Sequence, residues 1–129
     1  MTTKDIKIIR TILQNEYNAI DIICKELAAN NSDKEYFARK KLQELGKLCC
    51  KFGNLDFGKN NMCVNDIILI EEILSSTLEK LVEQKNHAID EEKTKIFSEI
   101  KSVSLAHEAF CKFDWNNHER KQQKSSSLY

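Results

Sequence analysis

GNLDFGKNN, residues 53–61, decides between two folds. Gly53-x-x-x-x-Gly58-Lys59 is one residue short of a phosphate-binding P-loop. Seven residues on, Ile67-Ile68-Leu69-Ile70-Glu71-Glu72 has the form of an apolar run ending in acids. Read as a strand–loop–helix, the stretch predicts an α/β nucleotide-binding fold. Read as a helix end followed by a turn, it predicts an all-α chain. A P-loop joins a buried strand to a helix, so that backbone N–H groups and the helix N-terminus cradle phosphate. The segment before Gly53 has helical periodicity instead. Asn60 stands where the motif needs a serine or threonine hydroxyl for Mg²⁺. The Ile67 run arrives too soon for a helix to fit before it, and no strand–helix alternation exists from which to build a parallel sheet. The stretch is a helix cap and a turn.

Working outward, composition agrees. The 129 residues contain no proline and three glycines, Gly46, Gly53 and Gly58. The two strongest helix breakers are therefore scarce. Helix one is expected from Thr3 to Ala29, because Ile6, Ile9, Leu13, Tyr17, Ile20, Cys24 and Leu27 recur at spacings of three and four. After the polar Asn30-Asn31, Ser32-x-x-Glu35 reads as a capping box. Helix two follows to about Phe52, with Ala38, Leu42, Leu45, Leu48, Cys49 and Phe52 inward and Gly53 as a left-handed C-terminal cap. Helix three, capped by Asn65 or Asp66, carries Ile67, Ile70, Leu74, Leu78 and Leu81. The β-branched residues over 64–70 make a short strand the competing reading there. A turn near Asn86-His87, with Asp90 or a neighbour as cap, separates helix four, whose face is Ile96, Ile100, Val103, Phe110 and Phe113. The alternative is one long kinked rod. The expected fold is all-α: a single antiparallel up-down bundle of four helices over residues 1–115, followed by a disordered polar tail over 116–129.

Several function classes are disfavoured. Twenty basic residues balance twenty acidic ones, so no global field gathers nucleic acid or an anionic membrane. No apolar run approaches the roughly 20 residues that span a bilayer. The N-terminal Met1-Thr2-Thr3-Lys4-Asp5 lacks an apolar stretch of signal-peptide type. Five cysteines without a Cys-x-x-Cys pair read as reduced thiols in a cytoplasmic compartment. The tail, His118 to Tyr129, is serine-rich with apolar last residues. It looks like the C-terminal export signals of bacterial effectors, which raises delivery into a host cell, and Ser127-Leu128-Tyr129 loosely resembles a terminus read by strand-addition domains.

Some residues could carry chemistry. His107 and Cys111 lie four apart, on one face of helix four, a spacing that suits two metal ligands. Further ligands would have to come from Cys49, Cys50 or Cys63. The blander reading makes His107 a hydrogen-bonded core histidine and Cys111 a small core residue. Glu16 interrupts the apolar arc of helix one, and pairing with His107 or Lys41 across the bundle would offset its burial. A Glu16–His107 pair would be a pH-sensitive latch. Arg39-Lys40-Lys41 is the densest basic cluster, a candidate anion or RNA patch. Phe37 beside it is assigned to the core, so aromatic interleaving is weak and nucleic acid is not the expected partner. Ile8, Ile22, Tyr36, Leu69 and Leu105 fall off the main stripes. They mark either wider internal burial or a second face for another chain. No catalytic constellation and no cofactor is implied. The expected function is a non-enzymatic interaction module that docks a helical face on a partner protein or on a second copy of itself. The runner-up is a metal- or small-ligand-binding bundle around His107 and Cys111, and the third is a nucleic-acid accessory protein using Arg39, Lys40 and Lys41.

Overall fold

The computed structural model describes residues 1–54 and 62–115. Four helices follow one another: α1 Thr3–Ala29, α2 Glu35–Gly53, α3 Val64–His87 and α4 Asp90–Lys112. No strand occurs among the described residues, so the β-branched run over 64–70 is the first turns of α3. The phosphate-loop reading fails on the same ground, because the residues leading into Gly53 are helical. Residues 55–61 of that stretch lie outside the described residues, as does the tail over 116–129.

α1 and α3 begin where their N-terminal amides find side-chain partners, whereas α2 and α4 have no side-chain cap. The Thr2 hydroxyl accepts from the Asp5 amide at 3.1 Å, and the Asp5 carboxylate accepts from the Thr2 amide at 3.0 Å. These two bonds satisfy two otherwise free donors. That backbone bond from Thr2 is the main reason the Asp5 carboxyl titrates below its ordinary value. At α3 the Asp66 carboxylate accepts from the Cys63 amide at 3.3 Å.

Three expected caps are corrected, the first being that Cys63, not Asn65 or Asp66, is the cap residue of α3, with Asp66 bonding back from the first turn. Ser32 and Glu35 form no capping box: Lys34 precedes α2 with helical φ and ψ, and the Glu35 carboxylate accepts from Arg39 at 2.7 Å instead. A box needs an extended residue before the helix. Here the chain enters through a tight turn in which Asn31 takes the positive φ of 49°. Gly53 is not a left-handed cap either. No described glycine has positive φ, Gly53 stays helical, and Asn54 closes α2 by donating its backbone N–H to the Cys50 carbonyl at 3.0 Å.

The helices assemble as two antiparallel hairpins. Along α1 and α2 the contacts run in opposite order. Arg10 donates to the Gly53 carbonyl at 2.9 Å, the Cys49 thiol donates to the Leu13 carbonyl at 3.5 Å, and Gly46 faces the Tyr17 ring. A Cβ on Gly46 would sit 3.2 Å from that ring, so the small residue lets the two helices approach. In α3 and α4, Lys85 lies over the Phe97 ring near the turn, and Glu71 faces His107 and Cys111 near the other end. α1 packs on α2, α4 and α3, whereas the backbones of α2 and α3 meet only marginally. One tie between them is the Lys51–Asp66 ion pair at 2.7 Å.

The core is built from the predicted stripes. Ile9, Leu13, Ile20 and Cys24 of α1 meet Leu45, Leu48 and Phe52 of α2, Ile70 and Leu74 of α3, and Val103 and Phe110 of α4. Each large side chain taken fully out of water contributes roughly 2 kcal/mol of transfer free energy. Ile12, Ile73 and Ala106 widen the stripes. Met62 and Trp115, which precede α3 and follow α4, are also buried. The Trp115 indole donates to the Phe110 carbonyl at 2.8 Å and stacks at a tilt against Phe110 and Phe113. That carbonyl belongs to the last turn of α4 and also accepts from the Phe113 amide at 3.3 Å, so Trp115 gives the helix end a second donor.

Candidate functional site

Three regions bring together the residues singled out in the sequence. The first lies on the α3–α4 hairpin. One ligand atom each from Glu71, His107 and Cys111 falls within 4.8 Å of the other two. Helical periodicity supplies two of the three, since His107 and Cys111 are four apart on α4. Glu71 arrives from α3. His107 is half-buried and its Nε2 is a buried polar atom with no hydrogen-bond partner, so the expected core histidine bonded to a neighbour is corrected. Cys111 is exposed and not a core residue. None of Cys49, Cys50 and Cys63 belongs to this donor group. Burial pushes the Cys111 thiol up, and the Glu71 carboxylate pushes it further the same way.

The second region is a cleft of about 390 Å³ between α1, α2 and α3. Ile20, Leu45 and Ile73 form its apolar part, and Glu16, Lys41 and Glu72 are among its charged groups. Glu16 is half-buried here and lines the cleft with Lys41 without forming an ion pair to it, in a different place from the donors around His107. The Glu16–His107 latch is therefore not assembled: no ion pair joins the two, and His107 Nε2 has no partner.

The third region is the exposed apolar surface at the start of α2. Tyr36 and Phe37 are 70% and 71% exposed, and their rings meet edge to face at 5.5 Å. Phe37 is thus not a core residue. Ala38, one position on, takes the inward place. Ile22 and Ile23, also exposed, lie toward the C-terminal end of α1, and the antiparallel course of the hairpin brings that end to the start of α2. Of the five off-stripe residues, Ile22, Tyr36 and Leu105 are exposed, whereas Ile8 and Leu69 are partly buried against the core. Those two reflect wider internal burial. Arg39, Lys40 and Lys41 are all exposed, with Arg39 engaged by Glu35.

Sequence reasoning missed Glu71 and Ile23. Ile23 sits at the margin of the α1 stripe, and its neighbours in sequence gave no sign that α2 leaves it uncovered. Glu71 lies 36 positions from His107, beyond any local spacing rule. Comparison with known protein families, curated proteins and solved structures gave no match. No helix among the described residues is long and apolar enough to cross a membrane.

Proposed function

We propose that this chain is a non-enzymatic interaction module that docks the first half of α2 on another protein. The observation that carries the reading is the Tyr36–Phe37 pair: two aromatic rings, each about 70% exposed, packed on one another and on no core. Tyrosine anchors with apolar neighbours are the groups that dominate binding energy at interfaces. Lys40 lies one turn beyond Tyr36, and Lys41 one turn beyond Phe37, so each ring shares its helix face with a lysine. The partner that fits is an apolar helical face rimmed by acidic groups. A symmetric dimer through this patch would set the two basic runs against each other, which favours a different protein over a second copy. The five unpaired thiols agree with a reducing, cytoplasmic setting.

The test compares full-length wild type with the Tyr36→Ser/Phe37→Ser double variant. Both are first weighed by native mass spectrometry and checked by circular dichroism. They are then used to retain proteins from a cell extract at low and high salt. The reading expects a monomer, and a protein held by wild type, lost from the double variant and weakened by salt. Identical retention profiles from two folded baits would overturn it. A dimer abolished by the double substitution would transfer the surface to self-association.

A further inference from the structure

We propose that Glu71, His107 and Cys111 form a site for a zinc-class divalent cation that clamps α3 to α4. This goes beyond the docking surface on α2 and does not depend on it. Three observations carry it. The donors are one carboxylate, one imidazole and one thiol, and a ligand atom from each lies within 4.8 Å of the others. They come from two helices, with His107 and Cys111 fixed on one face by their four-residue spacing. The buried Nε2 of His107 has no hydrogen-bond partner, an unusual state for a polar atom shielded from water.

The donor chemistry selects the ion. Thiolate and imidazole together disfavour calcium and magnesium, which take oxygen ligands, and suit zinc. Zinc bonds of about 2.0–2.3 Å in tetrahedral geometry put donor atoms roughly 3.5 Å apart. From the present spacing of up to 4.8 Å, the donors would have to draw together by up to about 1.3 Å. On binding, the Cys111 thiol forms its bond to the metal and releases its proton to solvent. His107 binds as the neutral imidazole through a ring-nitrogen lone pair, and Glu71 binds through a carboxylate oxygen. Thiolate and carboxylate then neutralise the two positive charges of the ion. Three protein ligands leave a fourth position for water or a donor from elsewhere. A pocket of about 240 Å³, lined by Glu71 and Cys111 with Ile67, Ile68, Phe110 and Trp115, gives room beside it. The clamp sits away from the turn at residues 88–89, so it would hold the hairpin where no connecting chain does.

The experiment titrates reduced, metal-free full-length protein with Co²⁺, watching for the thiolate-to-cobalt charge-transfer band in the near ultraviolet. The expected result is saturation at one equivalent per chain, with the band abolished by Zn²⁺. His107→Gln and Cys111→Ser should lose it, and Cys50→Ser should keep it. Glu71→Gln, an isosteric change on an exposed side chain, should weaken binding by at least about tenfold. It carries the test if Cys111→Ser fails to fold. Absence of the band in wild type, or its persistence in Cys111→Ser, would overturn the site. Unchanged affinity in Glu71→Gln would also overturn it, by removing α3 from the clamp.

Discussion

The two halves of α2 behave as different materials. The second half, from Leu45 to Gly53, sends Leu45, Leu48 and Phe52 into the core. It is tied to α3 by Lys51–Asp66, and to α1 by the Arg10 bond to the Gly53 carbonyl. The first half, from Glu35 to Glu44, contains no fully buried residue and displays Tyr36 and Phe37. Both halves share one helix and one neighbour, α1. The backbones of α2 and α3 meet only marginally, and the ion pair that joins the two helices, Lys51–Asp66, lies in the second half. An amphipathic stripe needs a surface on the other side to become a core, and where that surface is missing the same apolar residues remain available for binding.

The sharpest contrast is expected from paired substitutions. Phe52→Ala should destabilise the protein by about 3–5 kcal/mol, because it opens a cavity beneath a fully buried ring. Phe37→Ala, the same chemical change fifteen positions earlier, should cost no more than about 0.5 kcal/mol. Urea unfolding followed by circular dichroism reads both, and similar losses would dissolve the distinction between the halves.

Much of this contrast was legible in the sequence, and the reason it was incomplete is physical. Helical periodicity located all four helices, and of the residues it assigned to the core of α2, Leu45, Leu48 and Phe52 are buried, whereas Ala38, Leu42 and Cys49 are half-buried. Periodicity reports which face of a helix is apolar, not whether another helix arrives to cover it. Phe37, one step from the inward Ala38, was therefore assigned to a core that does not extend so far. Met62 and Trp115 were not assigned to the core because they lie beyond the ends of α3 and α4, where no repeat operates. Ser32-x-x-Glu35 matched a capping pattern, but the box depends on the backbone ahead of the helix, and the turn through Asn31 sets that geometry differently. At the metal-type site His107 and Cys111 could be paired by spacing. Glu71 belongs to another helix and required the tertiary fold.

Two smaller effects test how the second half is anchored. Trp115→Phe removes the indole bond to the Phe110 carbonyl and should cost about 1–3 kcal/mol. Asp66→Asn should cost about 1 kcal/mol, since the pair with Lys51 is only partly shielded from solvent. Burial alone would raise the Asp66 carboxyl, but hydrogen bonds from Lys51 and Cys63 outweigh it and hold the group below its ordinary 3.8. A depressed carboxyl contributes stability that is full above its unfolded value and is lost as pH falls through the folded value. Wild type should therefore lose this increment below about pH 4, and Asp66→Asn should lack that part of the acid dependence. An unchanged acid profile in the variant would detach the pair from the stability of this end.

The smallest effect on the isolated protein is dynamic. Amides in the first half of α2 should exchange with solvent faster than those from Leu45 onward, because local opening there exposes little apolar surface. Equal protection along the helix would argue that an additional surface already covers residues 36 and 37.

The central claim is that the start of α2 is a docking surface, and site-specific photocrosslinking tests it most directly. A benzophenone side chain would be placed at position 37 in one full-length protein and at position 104, an exposed serine of α4, in another. After irradiation in cell extract, the account predicts a discrete protein adduct at position 37 that is absent at position 104. Equal adducts at both positions, or none at position 37, would contradict it.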